Sequence, residues 1–218
     1  MKVVVKPTTY KADEVRMSAV AKGGLSILSD EEFYMGEMMP AFNSMSGVGK
    51  FSATDLKKQL RASRFGSASV ENYASAVNGY CSPKDLETMM QLLYLNFTQP
   101  RFDQNDYNTL MKMLRSQLDN VKSNPDYLME EKFIDVAYGN NPRRQMISTE
   151  IIDKFSFEAL PAIYRKLYPD ANSFTFTIVG NVDLDALKPL VEKYIGSIPV
   201  SKKAMTFADD KCAPVKAT

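Results

Sequence analysis

The sequence predicts an α+β domain: a mainly antiparallel β-sheet with helices on one of its faces. Three observations carry that expectation. Two pairs of β-branched or alternating runs, residues 3–6 with 14–22 and 65–70 with 73–80, sit close together along the chain, as antiparallel neighbours do. Segments of helical periodicity follow each pair. The resulting order, β-β-α-α-β-β-α-α-α-α-β-α, groups strands with strands and lacks the strict alternation of a parallel sheet.

Each element has its own signals. Pro7-Thr8-Thr9 separates the first two strands, and Gly23-Gly24 ends the second. Residues 31–46 place Phe33, Met35, Met38, Met39 and Phe42 among polar residues, a helical pattern that Gly36 and Pro40 weaken. Ser46-Gly47-Val48-Gly49 turns the chain, and Ser52, with Asp55 three positions on, starts a helix through Leu56 and Leu60. Glu71-Asn72 separates the second pair of strands. Ser82-Pro83 opens the clearest helix, with Leu86, Met89, Met90, Leu93 and Phe97 at helical spacing and Gln99-Pro100 as its stop. Two further helices, 103–121 and 126–138, are separated at Asn124-Pro125. Ser156 caps a helix over 157–167, residues 174–179 form a strand ending at Gly180, and 183–194 form the last helix. Residues 1–200 are expected to be one domain, with 201–218 a loose tail or linker. A chain that starts inside a strand and stops in such a tail reads as part of a longer protein.

Composition excludes several classes of function. Against 27 basic residues stand 26 acidic ones, so no long-range field draws nucleic acid. Lys57-Lys58, Arg143-Arg144 and Lys202-Lys203 are isolated pairs on a solvated surface. No apolar run reaches the roughly 20 residues of a membrane span. Residues 1–7 lack the parts of a secretory signal. Cys81 and Cys212 read as two free thiols, since neither number nor spacing suggests a disulfide framework or a zinc site.

The chain contains no histidine. That removes the usual general base for a serine or cysteine nucleophile, and no Ser-x-x-Lys at a helix start replaces it. Gly47-x-Gly49 before Lys50 is a turn and not a phosphate loop. The acids Asp30-Glu31-Glu32 suit a helix N-terminus, while Glu37, Glu130-Glu131 and Asp209-Asp210 form no pair on one helical face. Met35, Met38 and Met39 could in principle offer thioethers to Cu(I), although methionine at this spacing is ordinarily core filling.

Several stretches, taken in order, resemble the M16 (insulinase/pitrilysin) family of zinc peptidases. They are Asp13-Glu14-Val15-Arg16-Met17-Ser18-Ala19, Gly23-Gly24-Leu25-Ser26, Ser29-Asp30, Ser46-Gly47-Val48-Gly49-Lys50-Phe51-Ser52-Ala53 and Ser82-Pro83-Lys84-Asp85-Leu86-Glu87. Further on come Leu92-Leu93-Tyr94-Leu95-Asn96-Phe97-Thr98-Gln99-Pro100-Arg101, the strand at 174–179, Gly180-Asn181-Val182-Asp183 and Tyr194-Ile195-Gly196-Ser197-Ile198-Pro199. The resemblance covers about residues 3–199 and implies an M16 metallopeptidase-like (LuxS/MPP-like) domain. In that family four similar α+β domains form two halves that close around a peptide. The first domain carries His-x-x-Glu-His and a downstream glutamate: two histidines and that glutamate hold Zn²⁺, and the other glutamate activates water.

The equivalent helix here spans about 33–42. One register puts Met35, Met38 and Met39 at the motif positions; the other puts Glu37, Pro40 and Ala41 there. Neither carries a histidine, and residues 115–120, near the downstream position, carry no glutamate. The second half's Arg-x-x-x-x-x-Gly-Tyr has no counterpart; Arg64 to Gly66 does not fit it. By resemblance the chain is therefore the third, non-catalytic domain of a bacterial fused-halves member, with catalytic, cofactor-binding and metal-ligand residues all expected to be none. Zinc belongs to the parent's first domain, and the partners are its other domains and its peptide substrate. The parent is expected in the periplasm or cell envelope. The competing reading is a stand-alone binding or scaffold module with this fold and no peptidase activity.

Overall fold

The computed structural model describes residues 1–60, 64–201 and 204–216, with residues 64–67 described by backbone alone; Lys202-Lys203 lies outside the described residues. Five strands, β1 (Lys2–Pro7), β2 (Val15–Lys22), β3 (Arg64–Val70), β4 (Ala74–Cys81) and β5 (Phe174–Gly180), form one sheet in the order β1-β5-β2-β4-β3. The helices are α1 (Asp30–Ser46), α2 (Ala53–Gln59), α3 (Leu86–Thr98), α4 (Gln104–Val121), α5 (Pro125–Tyr138), α6 (Thr149–Ile152), α7 (Leu160–Leu167) and α8 (Leu184–Leu190).

Strand alternation separates the two faces of the sheet. Val15, Met17, Ala19 and Ala21 of β2, Phe174, Phe176 and Ile178 of β5, and Val77 of β4 point to one side, and all are buried. Among the described residues, α1 and α3 pack against the sheet. An aromatic chain ties them to the sheet. Phe42 of α1 stacks on Phe102 at 5.9 Å, Phe102 meets Tyr164 of α7 edge-on at 5.8 Å, and Tyr164 lies 4.8 Å from Tyr168. Tyr168 stacks on Phe174, which Phe97 of α3 contacts edge-on at 4.9 Å. Buried hydroxyls need partners, and both tyrosines find backbone carbonyls: Tyr164 donates to Asn96 (2.8 Å) and Tyr168 to Ser69 (3.0 Å).

Helices on one face and a mainly antiparallel sheet agree with the sequence reading, but the pairing of β1 does not. The first two strands were expected to be neighbours. Instead β5 runs between them, parallel to β1 and antiparallel to β2. Proximity along the chain favours a hairpin, yet the segment from Thr8 to Glu14 is long enough to step across one strand. The apolar face of β5, with its two phenylalanines, then takes the deep position. Pairing of β3 with β4 is as expected.

Proline explains most other differences. Helix α1 runs unbroken through Gly36 and Pro40. The carbonyl that a proline ring crowds is the one four residues back, and here that residue is Gly36. Beyond Ser156 a 3-10 turn (Phe157–Ala159) precedes α7, because Pro161 belongs in a first turn. Pro189 lies inside α8, and the helix passes at once into a π-turn (Val191–Ile195) closed by Gly196 N–H to Val191 O at 2.9 Å. The short α6, capped by Ser148, was not anticipated: four residues are too few for a periodic signal.

Residues 204–216 have no helix or strand but are tied to the domain. Met205 N–H donates to Ser173 Oγ (3.0 Å), Ala208 N–H to Ser26 Oγ (3.0 Å), Tyr73 OH to Asp210 (2.9 Å) and Val215 N–H to Ala137 O (2.8 Å). Gly23, with φ of +124°, has no Cβ to meet the Met205 side chain that packs on it.

Candidate functional site

The site to test is α1, where the resemblance locates a zinc motif. The helix starts at Ser29, whose N–H donates to the Glu32 carboxylate at 3.1 Å, and its first turn carries Asp30, Glu31 and Glu32 against the helix dipole. Burial raises the Glu32 carboxyl, but hydrogen bonds from Lys166 (2.6 Å) and from Ser29 outweigh it and hold the group below its ordinary range. Arg143 closes the region from outside. Its guanidinium donates to Asp30 and to the carbonyls of Leu28 and Leu25, and it sits 5.5 Å from the Phe33 ring centre. Tyr34 fixes the same loop, donating to Gln145 O (3.0 Å) and accepting from Gln145 N–H (2.8 Å).

The two candidate registers face in different directions. Met35 and Met39 are buried in the apolar core with Phe33, Phe42 and Leu28, and Met38 is half-buried. Glu37 and Ala41 are exposed and Pro40 is half-buried. Desolvation pushes the Glu37 carboxyl up, and the nearby Arg144 guanidinium counters it. Gly36 lies where the Gly24–Ile27 turn and the residue after it approach closely. A Cβ there would run into Leu28 Cδ1 and press on Leu25 Cδ2. The motif face is thus filled with hydrocarbon and thioether, and the outward register offers one carboxylate.

These residues do not fit a zinc ion. Zinc in a hydrolytic site needs three imidazole or carboxylate donors converging at about 2 Å. Among the described residues, no three of the histidine, cysteine, aspartate and glutamate side chains gather as such a set. Residues 115–120 lie on α4, where Arg115 pairs with Asp153 at 2.6 Å and Leu118 is buried. The cysteines are both free thiols; Cys81 is buried, and burial, with the charge of Asp85 adding, pushes it up to about 12.

Similarity to known proteins follows the same lines. The family model for the peptidase M16 inactive domain matches residues 154–217, which include α7, β5 and α8. A probable zinc protease PqqL of Escherichia coli is 25% identical over 97% of this chain and 23% of its own length. Over residues 154–217 the chain is therefore similar to the inactive domain of M16 peptidases. A zinc protease PQQL-like protein of Arabidopsis thaliana is 24% identical over 91% of the chain and 18% of its own length. The crystal structure of the periplasmic protease PqqL from E. coli matches with a TM-score of 0.78 at 20% identity, over 98% of this chain and 23% of that one. A crystal structure of the ferredoxin protease FusC in complex with Arabidopsis ferredoxin matches with a TM-score of 0.79 at 18% identity, over the same shares. The chain therefore spans less than a quarter of the length of these relatives.

Proposed function

We propose that this chain is the third, non-catalytic domain of a bacterial zinc endopeptidase with fused halves. In this reading it shapes the chamber that holds the peptide and packs against the parent's other domains, while a separate first domain carries Zn²⁺ and hydrolyses the peptide bond. Residues 1–200 form the domain, and 201–218 lead toward the next one. The parent works in the periplasm, as the similar E. coli protease does. The observation that carries the reading is α1: the helix at the zinc-motif position is packed with Met35, Met39 and Phe42 and presents no convergent donor set.

The test compares the purified chain with its full-length parent on a fluorogenic peptide, with and without a chelator. Chelator-sensitive cleavage is expected from the parent alone. Such cleavage by the chain itself would sink the reading, as would a parent gene with no His-x-x-Glu-His upstream of this segment.

A further inference from the structure

Residues 204–216 carry no helix or strand, yet they bridge two parts of the molecule that are held in different ways. One is a rigid platform. The turn from Gly23 to Ser26 and the turn between β3 and β4 are joined by three backbone hydrogen bonds: Gly23 N–H to Tyr73 O (2.8 Å), Leu25 N–H to Glu71 O (2.9 Å) and Ser26 N–H to Asn72 O (2.7 Å). The tail grips both turns. Met205 packs on Gly23, and the Ala208 N–H donates to Oγ of buried Ser26, which itself donates to Gly23 O at 2.6 Å. Both capacities of that buried hydroxyl are thereby used. Phe207 meets the Tyr73 ring edge-on at 5.9 Å, and Tyr73 OH donates to Asp210. Asp210 also accepts from the Cys212 N–H at 3.2 Å, and Lys211, with φ of +52°, turns the chain at this point.

Beyond the turn the tail reaches the end of α5. Asn141 Nδ2 donates to Lys211 O (3.2 Å), the Val215 N–H donates to Ala137 O (2.8 Å), and a Cβ on Gly139 would meet Val215 Cγ1 at 2.8 Å. Helix α5 is thus bonded to other segments at both ends, by Tyr127 OH to Ile147 O in its first turn and by the tail in its last. Asn141 carries the connection further. Its Oδ1 accepts from the Arg143 N–H at 2.9 Å, and Arg143 is the residue that clasps Asp30 and Leu28 O at the start of α1. The match to the M16 inactive domain runs through the same tail, to residue 217.

We propose that residues 204–215 are a strap whose docking on the platform holds the end of α5 in place. Undocking at Tyr73 withdraws the two hydrogen bonds at Lys211 and Val215, and an element secured by few such bonds opens locally while the rest of the fold stays closed. In the fused-halves parent proposed above, the strap leads to the next domain, so a shift of that domain reaches α5 and, through Asn141 and Arg143, the start of α1. That last step rests on the proposed role; the docking does not.

Amide hydrogen exchange of the chain, followed by mass spectrometry, tests the strap. In the double variant Phe207→Ala, Asp210→Ala, the two side chains removed are those that meet Tyr73. Exchange is expected to rise about tenfold or more over residues 204–215 and also over 134–141, as loss of one or two hydrogen bonds with their contacts gives. Residues 86–98, on α3, should exchange as before. Val215→Pro removes the N–H that reaches Ala137 and should likewise speed exchange over 134–141, whereas Val200→Ala, ahead of the strap, should change nothing. Faster exchange confined to 204–215 in the double variant would overturn the proposal, because the tail would then lie on α5 without holding it. No rise over 134–141 in Val215→Pro, or a rise that extends equally over α3 in either variant, would overturn it too. Because the chain alone is measured, the result is separate from whether a full-length parent cleaves peptides.

Discussion

Helices α1 and α5 are similar in length, 17 and 14 residues, and both are rich in apolar side chains, yet they stand at opposite extremes of burial. Helix α1 buries Phe33, Tyr34, Met35, Gly36, Met39, Phe42, Asn43 and Ser46; α5 buries none of its residues. Phe42 is 1% exposed and Phe133 is 68% exposed. The difference lies in what surrounds each helix. Sheet, α4 and α7 enclose α1, whereas the contacts of α5 include Tyr127 OH to Ile147 O (2.9 Å) and the passing tail at Val215. Apolar content forms a helix face; only neighbours turn that face into core.

Substitutions sharpen this contrast, and the largest effect belongs to α1. Phe42→Ala should lower the unfolding free energy by about 3–5 kcal/mol in urea titration, through lost burial and a cavity. Phe133→Ala on α5 should change it by less than about 1 kcal/mol. A similar loss at both positions would break the comparison. Next comes Gly36→Val, which forces a branched side chain against Leu28 and should cost about 1–3 kcal/mol. Arg143→Ala removes a guanidinium that serves Asp30 and two carbonyls; about 1–3 kcal/mol is expected, because hydrogen bonds to a charged group are lost together.

The smallest effect is that of pH. With no histidine, no side chain of ordinary pKa changes charge between pH 6 and 8, so denaturation midpoints should be flat there. The carboxyl of Asp103 is held low, first by the Asp106 N–H and despite some desolvation, and Glu32 is also held low. Both contribute stability above the ordinary carboxylate range that is lost as pH falls through their depressed values. Glu37, pushed up by desolvation, works the other way and slightly favours the fold as pH falls through its raised value. A midpoint that moves between pH 6 and 8 would contradict this account.

Much of the architecture was legible because it rests on local chemistry. Ser52 with Asp55, Ser82 with Pro83, and Asn124 with Pro125 mark helix starts that the structure places at or within a residue or two of those positions. The insertion of β5 between β1 and β2 was not legible, since pairing across more than 150 residues leaves no local trace. The helix expected over 31–46 is present as α1, but sequence alone could not say which of its faces turned inward; packing against Leu28 and Ile163 decides it.

The central claim is that α1 is a core helix and not a metal site. Incubating the chain with equimolar Zn²⁺, removing unbound ion by gel filtration and measuring the metal retained tests it most directly. The account predicts no stoichiometric zinc. One ion retained per chain, and released by a chelator, would contradict it.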